Sequence, residues 1–118
     1  IYIHVYLKTS GNVAGWYMNE SSGYIYAETD SRGLYQASIN GTSFIAKVRT
    51  TNYSSTLNPQ TGNDKDIYYG ASNSNGTAVG FDSREIAFAY LGDALTTTDL
   101  NNYYTAVQAF QTTLSRQV

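Results

Sequence analysis

The first eight residues, "IYIHVYLK", set Ile1, Ile3, Val5 and Leu7 against Tyr2, His4, Tyr6 and Lys8. A period of two puts the four aliphatic side chains on one face of a strand and the aromatic and polar ones on the other. Short runs of the same kind, bounded by Gly, Asn, Asp and Ser, recur at 15–18, 24–28, 34–39, 43–49, 66–71, 78–81 and 85–91. That spacing predicts an all-β fold of antiparallel strands in a sandwich. Asn40-Gly41 stands between two of the runs. Both residues tolerate positive φ, so a hairpin with a type I′ turn is expected there. The stretch "TTNYSSTLNPQTGNDKD", residues 50–66, carries no period. It is expected to be a surface loop.

The period changes towards the end of the chain. In 85–91, Ile86, Phe88 and Tyr90 alternate with Ala87 and Ala89, as in a strand covered on both faces. Beyond it, Leu100, Tyr103, Tyr104, Val107, Phe110 and Leu114 fall at steps of three and four, which predicts a helix over 98–115. Thr96, Thr97 and Thr98 offer an N-cap hydroxyl, Asp99 supplies negative charge at the first turn, and Arg116 stands near the far end. A helix of about four turns is marginal alone in water. The whole stripe, Phe110 and Leu114 included, is therefore expected to dock on the sandwich, with Gln108 on the opposite side. The N-terminal strand is expected to be paired on both sides, either as a central strand of the sandwich or through a second copy, because an open edge with its pattern invites aggregation.

The chain has 118 residues, enough for one domain with a modest core, taken as 1–118. It begins inside a strand pattern without Met, and so reads as a piece of a longer protein or a processed product. With no Cys, thiolate metal sites and disulfides are excluded. A net charge of −2 with 14% charged residues lacks the basic excess that nucleic acid or an anionic bilayer attracts. No apolar run approaches the roughly 20 residues that span a membrane. Neither nucleic acid nor membrane insertion is expected. Twelve Tyr and many Ser, Thr, Asn and Gly suit pleated surfaces and turns, and this low-charge composition is common in extracellular and virion-surface proteins.

One long segment, "DIYYGASNSNGTAVGFDSREIAFAYLGDALTTTDLNNYYTAVQAFQTTLSRQV", carries a more specific signal in Tyr69-Gly70-Ala71, Asn73-Ser74-Asn75-Gly76, Leu91-Gly92-Asp93 and residues 104–118. It resembles the C-terminal half of concanavalin A-like, laminin-G-type jelly-roll domains from tail and other structural proteins of bacteriophages and environmental viruses. The likeness covers roughly the last 50 residues. It departs at Asp93-Ala94-Leu95, where Gly usually precedes the Leu, and at Asp99, near the usual Glu. The resemblance implies an antiparallel jelly-roll sandwich whose terminal helix packs beside the last strand. It also implies a virion-surface or extracellular setting in a tail fibre, spike or capsid decoration. Other copies of the chain or other virion proteins would then be partners, and a host-surface glycan a ligand. Such domains commonly run to about 150–200 residues, so further N-terminal strands would come from another segment.

Candidate chemistry is sparse. Trp16, Tyr17, Tyr24 and Tyr26 lie close in sequence to Asn19, Glu20 and Asp30, the residue types of a glycan-binding platform. The alternatives are that these rings pack across strands or between subunits of a purely architectural protein that assembles through Tyr-rich faces, or that the chain is a cellular secreted carbohydrate-binding module. Glu28 and Asp30 alternate as glucanase carboxylates do, but no third carboxylate follows, and a solvated strand end is the plainer expectation. His4 is the sole histidine. A non-enzymatic protein is therefore expected. Laminin-G-type domains often hold calcium at the sandwich rim, which makes the oxygen-rich Asn63, Asp64 and Asp66 the candidate Ca2+ ligands, with Lys65 between two of them.

Overall fold

The computed structural model describes residues 2–6, 13–20, 24–58, 66–74 and 76–116. Eight strands precede one helix: β1 (Tyr2–Tyr6), β2 (Val13–Glu20), β3 (Tyr24–Ala27), β4 (Tyr35–Asn40), β5 (Ser43–Val48), β6 (Thr51–Thr56), β7 (Ser72–Ser74), β8 (Thr77–Val79) and α1 (Thr97–Thr113). They form three sheets in the orders β1-β2-β3, β4-β5-β6 and β7-β8, with every pairing antiparallel. The all-β class with a C-terminal helix agrees with the strand spacing. Neighbours in each sheet are neighbours in sequence, so the described strands form hairpin meanders. Among the described residues β1 is joined to β2 alone.

The first two sheets face each other through aromatic rings. Register sets Trp16 opposite Tyr24 and Ala14 opposite Tyr26, which places these four on one face of the first sheet. On the second sheet, Tyr35 pairs with Val48, Ala37 with Ala46 and Ile39 with Phe44, and Tyr53 joins from β6 opposite Ala46. Trp16 meets Phe44 at 5.8 Å between ring centroids, Tyr24 meets Phe44 at 5.4 Å and Tyr26 meets Tyr53 at 4.8 Å. Trp16, Phe44, Ala46, Val48 and Leu57 are the buried centre of this layer.

The other face of the second sheet is polar, and it is buried as well. Gln36, Ser38 and Lys47 alternate with the core residues of β4 and β5 and are 2%, 6% and 6% exposed. The C-terminal segment satisfies the first two. Gln36 Nε2 donates to the Leu100 carbonyl at 3.2 Å, and its Oε1 accepts from the Tyr90 hydroxyl at 3.2 Å. Ser38 Oγ donates to the Leu95 carbonyl at 3.1 Å and accepts from the Leu95 N–H at 2.7 Å. Lys47 Nζ donates to the Thr50 carbonyl and to Asn52 Oδ1, both at 3.3 Å, and stands 5.0 Å from the centre of the Tyr104 ring. A cation over a ring face is attracted by the ring quadrupole.

Helix α1 lies on this face and is closed at both ends. Thr96 is its N-cap in a capping box: Thr96 Oγ1 accepts from the Asp99 N–H at 3.2 Å, and Asp99 Oδ2 accepts from the Thr96 N–H at 2.9 Å. At the other end Ser115, at φ 55°, sits past the C-cap. The Arg116 N–H reaches the Gln111 carbonyl at 2.9 Å and the Ser115 N–H reaches that of Thr112 at 2.9 Å, the paired bonds of a Schellman motif. Leu100 and Val107 are buried as the stripe requires, and Tyr103 and Tyr104 are half-buried. Phe110 and Leu114 are not: they are 51% and 43% exposed, and Gln111 takes the third buried position. At 100° per residue, Gln111 lies about 20° from the direction of Leu100, while Phe110 lies about 80° away. Leu114 falls beyond the last helical residue.

Three other expectations give way. β6 forms inside the stretch expected to be a loop, because pairing with β5 needs only Tyr53 on the core side and β-branched or small neighbours elsewhere. Residues 66–71 and 85–91, expected to be strands, join no sheet among the described residues. In the β4–β5 hairpin Asn40 pairs with Ser43, and Gly41 alone has positive φ, 59°, the sign pattern of a type II′ turn.

The helix dock yields a direct contrast. Leu100→Ala, a fully buried truncation, should lower unfolding stability by about 2–5 kcal/mol. Phe110→Ala should change the stability of the isolated chain by no more than about 0.5 kcal/mol. Chemical denaturation of the two variants under dilute conditions checks both values.

Candidate functional site

The centre of the expected aromatic platform lies between the first two sheets. Trp16 is 1% exposed and stacks on Tyr26 at 5.3 Å with 21° between ring planes. Tyr24 and Tyr26 press on Phe44 and Tyr53 from the same sheet face. Both faces of a sugar-binding ring must be free on at least one side, and Trp16 offers neither. Tyr17 and Asn19 lie on β2, but their side chains fall outside the described residues.

Asp30 belongs to a different arrangement, at the end of β3, that the sequence signalled poorly. Glu28 is 5% exposed; its Oε2 accepts from Arg49 Nη2 at 2.8 Å and its Oε1 from the Asp30 N–H at 2.8 Å. It is not the solvated strand end expected. Arg49 extends the contact, donating from Nη1 to the carbonyls of Asp30 at 3.0 Å and Arg32 at 3.2 Å. The Tyr35 hydroxyl donates to the same Asp30 carbonyl at 2.6 Å. Asp30 itself takes a forked contact from Arg32, with Nη2 at 2.9 Å and Nε at 3.0 Å.

Arg49 was missed because no sequence period marks it. It occupies the two-residue turn between β5 and β6 at φ 52°, a left-handed conformation unusual for a side chain of its size. Its aliphatic stem passes over Gly33, where an added Cβ would come within 2.7 Å of Arg49 Cγ. Gly33 has φ 98°. Backbone conformation and space therefore both require glycine there.

The electrostatics match a structural latch. Burial pushes the Glu28 carboxyl up, but the Asp30 N–H and the Arg49 guanidinium outweigh it, and the net shift is below the ordinary 4.5. The Arg32 fork, with a backbone N–H, holds Asp30 at about 2. Burial, assisted by the charge of Glu28, pushes the Tyr35 hydroxyl up to about 12. Burial likewise pushes up Tyr26, whose hydroxyl is enclosed without a hydrogen-bond partner among the described residues. Each carboxylate at this rim is already committed to an arginine. The group can tie the strand end to the β5–β6 turn, but it holds no free acid and base pair.

Of the candidate calcium ligands, Asn63 and Asp64 fall outside the described residues. Asp66 is exposed, and its carbonyl accepts from Asn73 Nδ2 at 2.6 Å. Among the described residues no group of three or more His, Asp or Glu side chains could hold a metal ion.

Large apolar residues are exposed in the second half of the chain. Phe81, Leu91 and Tyr69 are 77%, 62% and 56% exposed, and Ile86 is 47% exposed. Residues 85–94 run without a ladder: none of their backbone N–H or C=O groups bonds to another backbone group among the described residues. One side of the segment is held by its own chain, with Tyr90 4.4 Å and Phe88 6.2 Å from Tyr103 between ring centroids. The period of two in 85–91 predicted a strand, but the segment joins no sheet among the described residues.

Comparisons with protein-family models, with curated proteins and with solved structures find no match to this chain. No helix among the described residues is long and apolar enough to cross a membrane.

The rim latch has a pH signature. Glu28 is held below its ordinary value, so its contribution is present above about pH 4.5 and is lost as pH falls through the lower folded value. Glu28→Gln should cost about 1–3 kcal/mol at pH 7. That difference from the parent should shrink steadily below pH 4.5 in urea titrations. On the alkaline side Tyr35 acts in reverse: stability is full below pH 10 and falls as pH rises towards 12. Gly33→Ala should destabilise by about 1–3 kcal/mol at every pH, because its effect is steric.

Proposed function

We propose that the chain is an architectural, non-enzymatic domain that works by associating with further copies of itself. The observation that carries this is the exposed apolar surface of residues 67–91 on a chain whose Tyr-rich sheet faces are already used internally. Phe81 at 77% and Leu91 at 62% exposure are costly to leave in water, and large exposed apolar residues of this kind are the material of interfaces. Low charge favours the same outcome, since a net charge of −2 offers little mutual repulsion between copies.

The setting we propose is a virion surface, in a tail fibre, spike or capsid decoration, and it rests on the resemblance of residues 66–118 to concanavalin A-like, laminin-G-type jelly-roll domains. Two facing antiparallel sheets with a docked terminal helix support that assignment. In a full jelly roll, strands distant in sequence become neighbours. The meander order of β1 to β6 lacks those neighbours, so further strands would come from outside the described set, from another segment or another copy. Glycan recognition has less support, because the central ring of its proposed platform is enclosed.

Light scattering of the full chain at about 100 µM tests the assembly. The expected mass is a multiple of 13.0 kDa that falls on dilution. A monomer at that concentration would overturn the proposal.

A further inference from the structure

We infer that residues 85–91 form an antiparallel strand pair with the same residues of a second copy, about a twofold axis at Phe88. This rests on the self-assembly proposed above and names the contact that produces it.

The partner must first be an extended polypeptide. Residues 85–94 have no backbone hydrogen bonds to other described backbone groups, although 85–91 alternates in the manner of a strand. A row of open N–H and C=O groups at strand spacing is completed by another strand and by little else. Phe88 and Tyr90 are already turned to Tyr103 of their own helix. The side-chain face is therefore partly occupied, while the backbone makes no bond to another described backbone group.

The sequence of the segment indicates whose strand it is. Ile86-Ala87-Phe88-Ala89-Tyr90 has the order large, small, large, small, large, which reads the same in both directions. Antiparallel pairing about Phe88 sets Phe88 against Phe88, Ala87 against Ala89 and Ile86 against Tyr90. Opposed residues then share a face and match in size, as an isologous contact requires. Charge agrees with this register. Arg84 faces Gly92, Glu85 faces Leu91 and Asp93 faces Ser83, so no two like charges are opposed. Leu91, 62% exposed in the single chain, would lie along the aliphatic stem of the partner's Glu85.

Two experiments test the contact independently. In the first, with Phe88 at the non-hydrogen-bonded position and Ala89 in a hydrogen-bonded pair with Ala87 of the second copy, Ala89→Pro removes one ladder N–H and leaves the helix untouched. It should weaken dimerisation about tenfold or more in sedimentation velocity while near-ultraviolet circular dichroism stays that of the parent. The second does not depend on that variant folding. Ala87→Cys/Ala89→Cys puts the only two thiols of the chain opposite each other across the twofold, so mild oxidation should give a covalent dimer of twice 13.0 kDa on a non-reducing gel. A monomeric parent would overturn both the assembly and this contact. A parent that associates, but whose double-cysteine form does not crosslink on oxidation or whose Ala89→Pro form associates equally well, would overturn this contact alone.

Discussion

The placement of the C-terminal segment and its helix rests on the hydrogen bonds that Gln36 and Ser38 make from β4 to the chain at Tyr90, Leu95 and Leu100. A sheet that packs on one side through Phe44, Ala46 and Val48 ordinarily leaves its other side to water. Here that other side is polar yet covered. The covering segment is fixed by donors and acceptors at defined positions, and the penalty for an unpaired buried group, about 1–3 kcal/mol each, makes the placement specific.

This mode of attachment explains why so much apolar surface stays outside. A segment docked by burial would turn its large residues inward, as Leu100 and Val107 do. A segment docked by a few polar contacts has only to present carbonyls and N–H groups at those points. Residues 85–91 face the chain with Phe88 and Tyr90, and their backbone makes no bond to another described backbone group. The architectural role proposed for the domain follows from this division: hydrogen bonds hold the segment in place, and its exposed apolar residues remain available to a second copy.

The legible parts of the fold were those where period and burial coincide. The alternation of 34–39 and 43–49 gave β4 and β5, and Thr96 with Asp99 gave the helix start to within a residue. The helix face was legible only in part, since Phe110 and Gln111 are adjacent and a hydrophobicity pattern favours the phenylalanine, while helical angle favours the glutamine. Burial of Gln36, Ser38 and Lys47 could not be read from polarity, because their partners lie far along the chain or on backbone atoms. Glu28 is similar: it looks solvated until Arg49, in a turn with no pattern of its own, is found beside it. The Trp and Tyr cluster was visible, but composition alone does not separate rings that face a sugar from rings that face the opposite sheet.

The proposed assembly requires that residues 85–91, whose backbone has no backbone partner among the described residues of one chain, be paired between two. Amide hydrogen exchange of the full chain, read residue by residue at a high and at a hundredfold lower protein concentration, measures this directly. Amides within 85–91 are expected to exchange near the unprotected rate when dilute and to gain protection, by about tenfold or more, when concentrated, while β4 and β5 change little. Protection of 85–91 that is the same at both concentrations, or absent at both, would contradict pairing between copies.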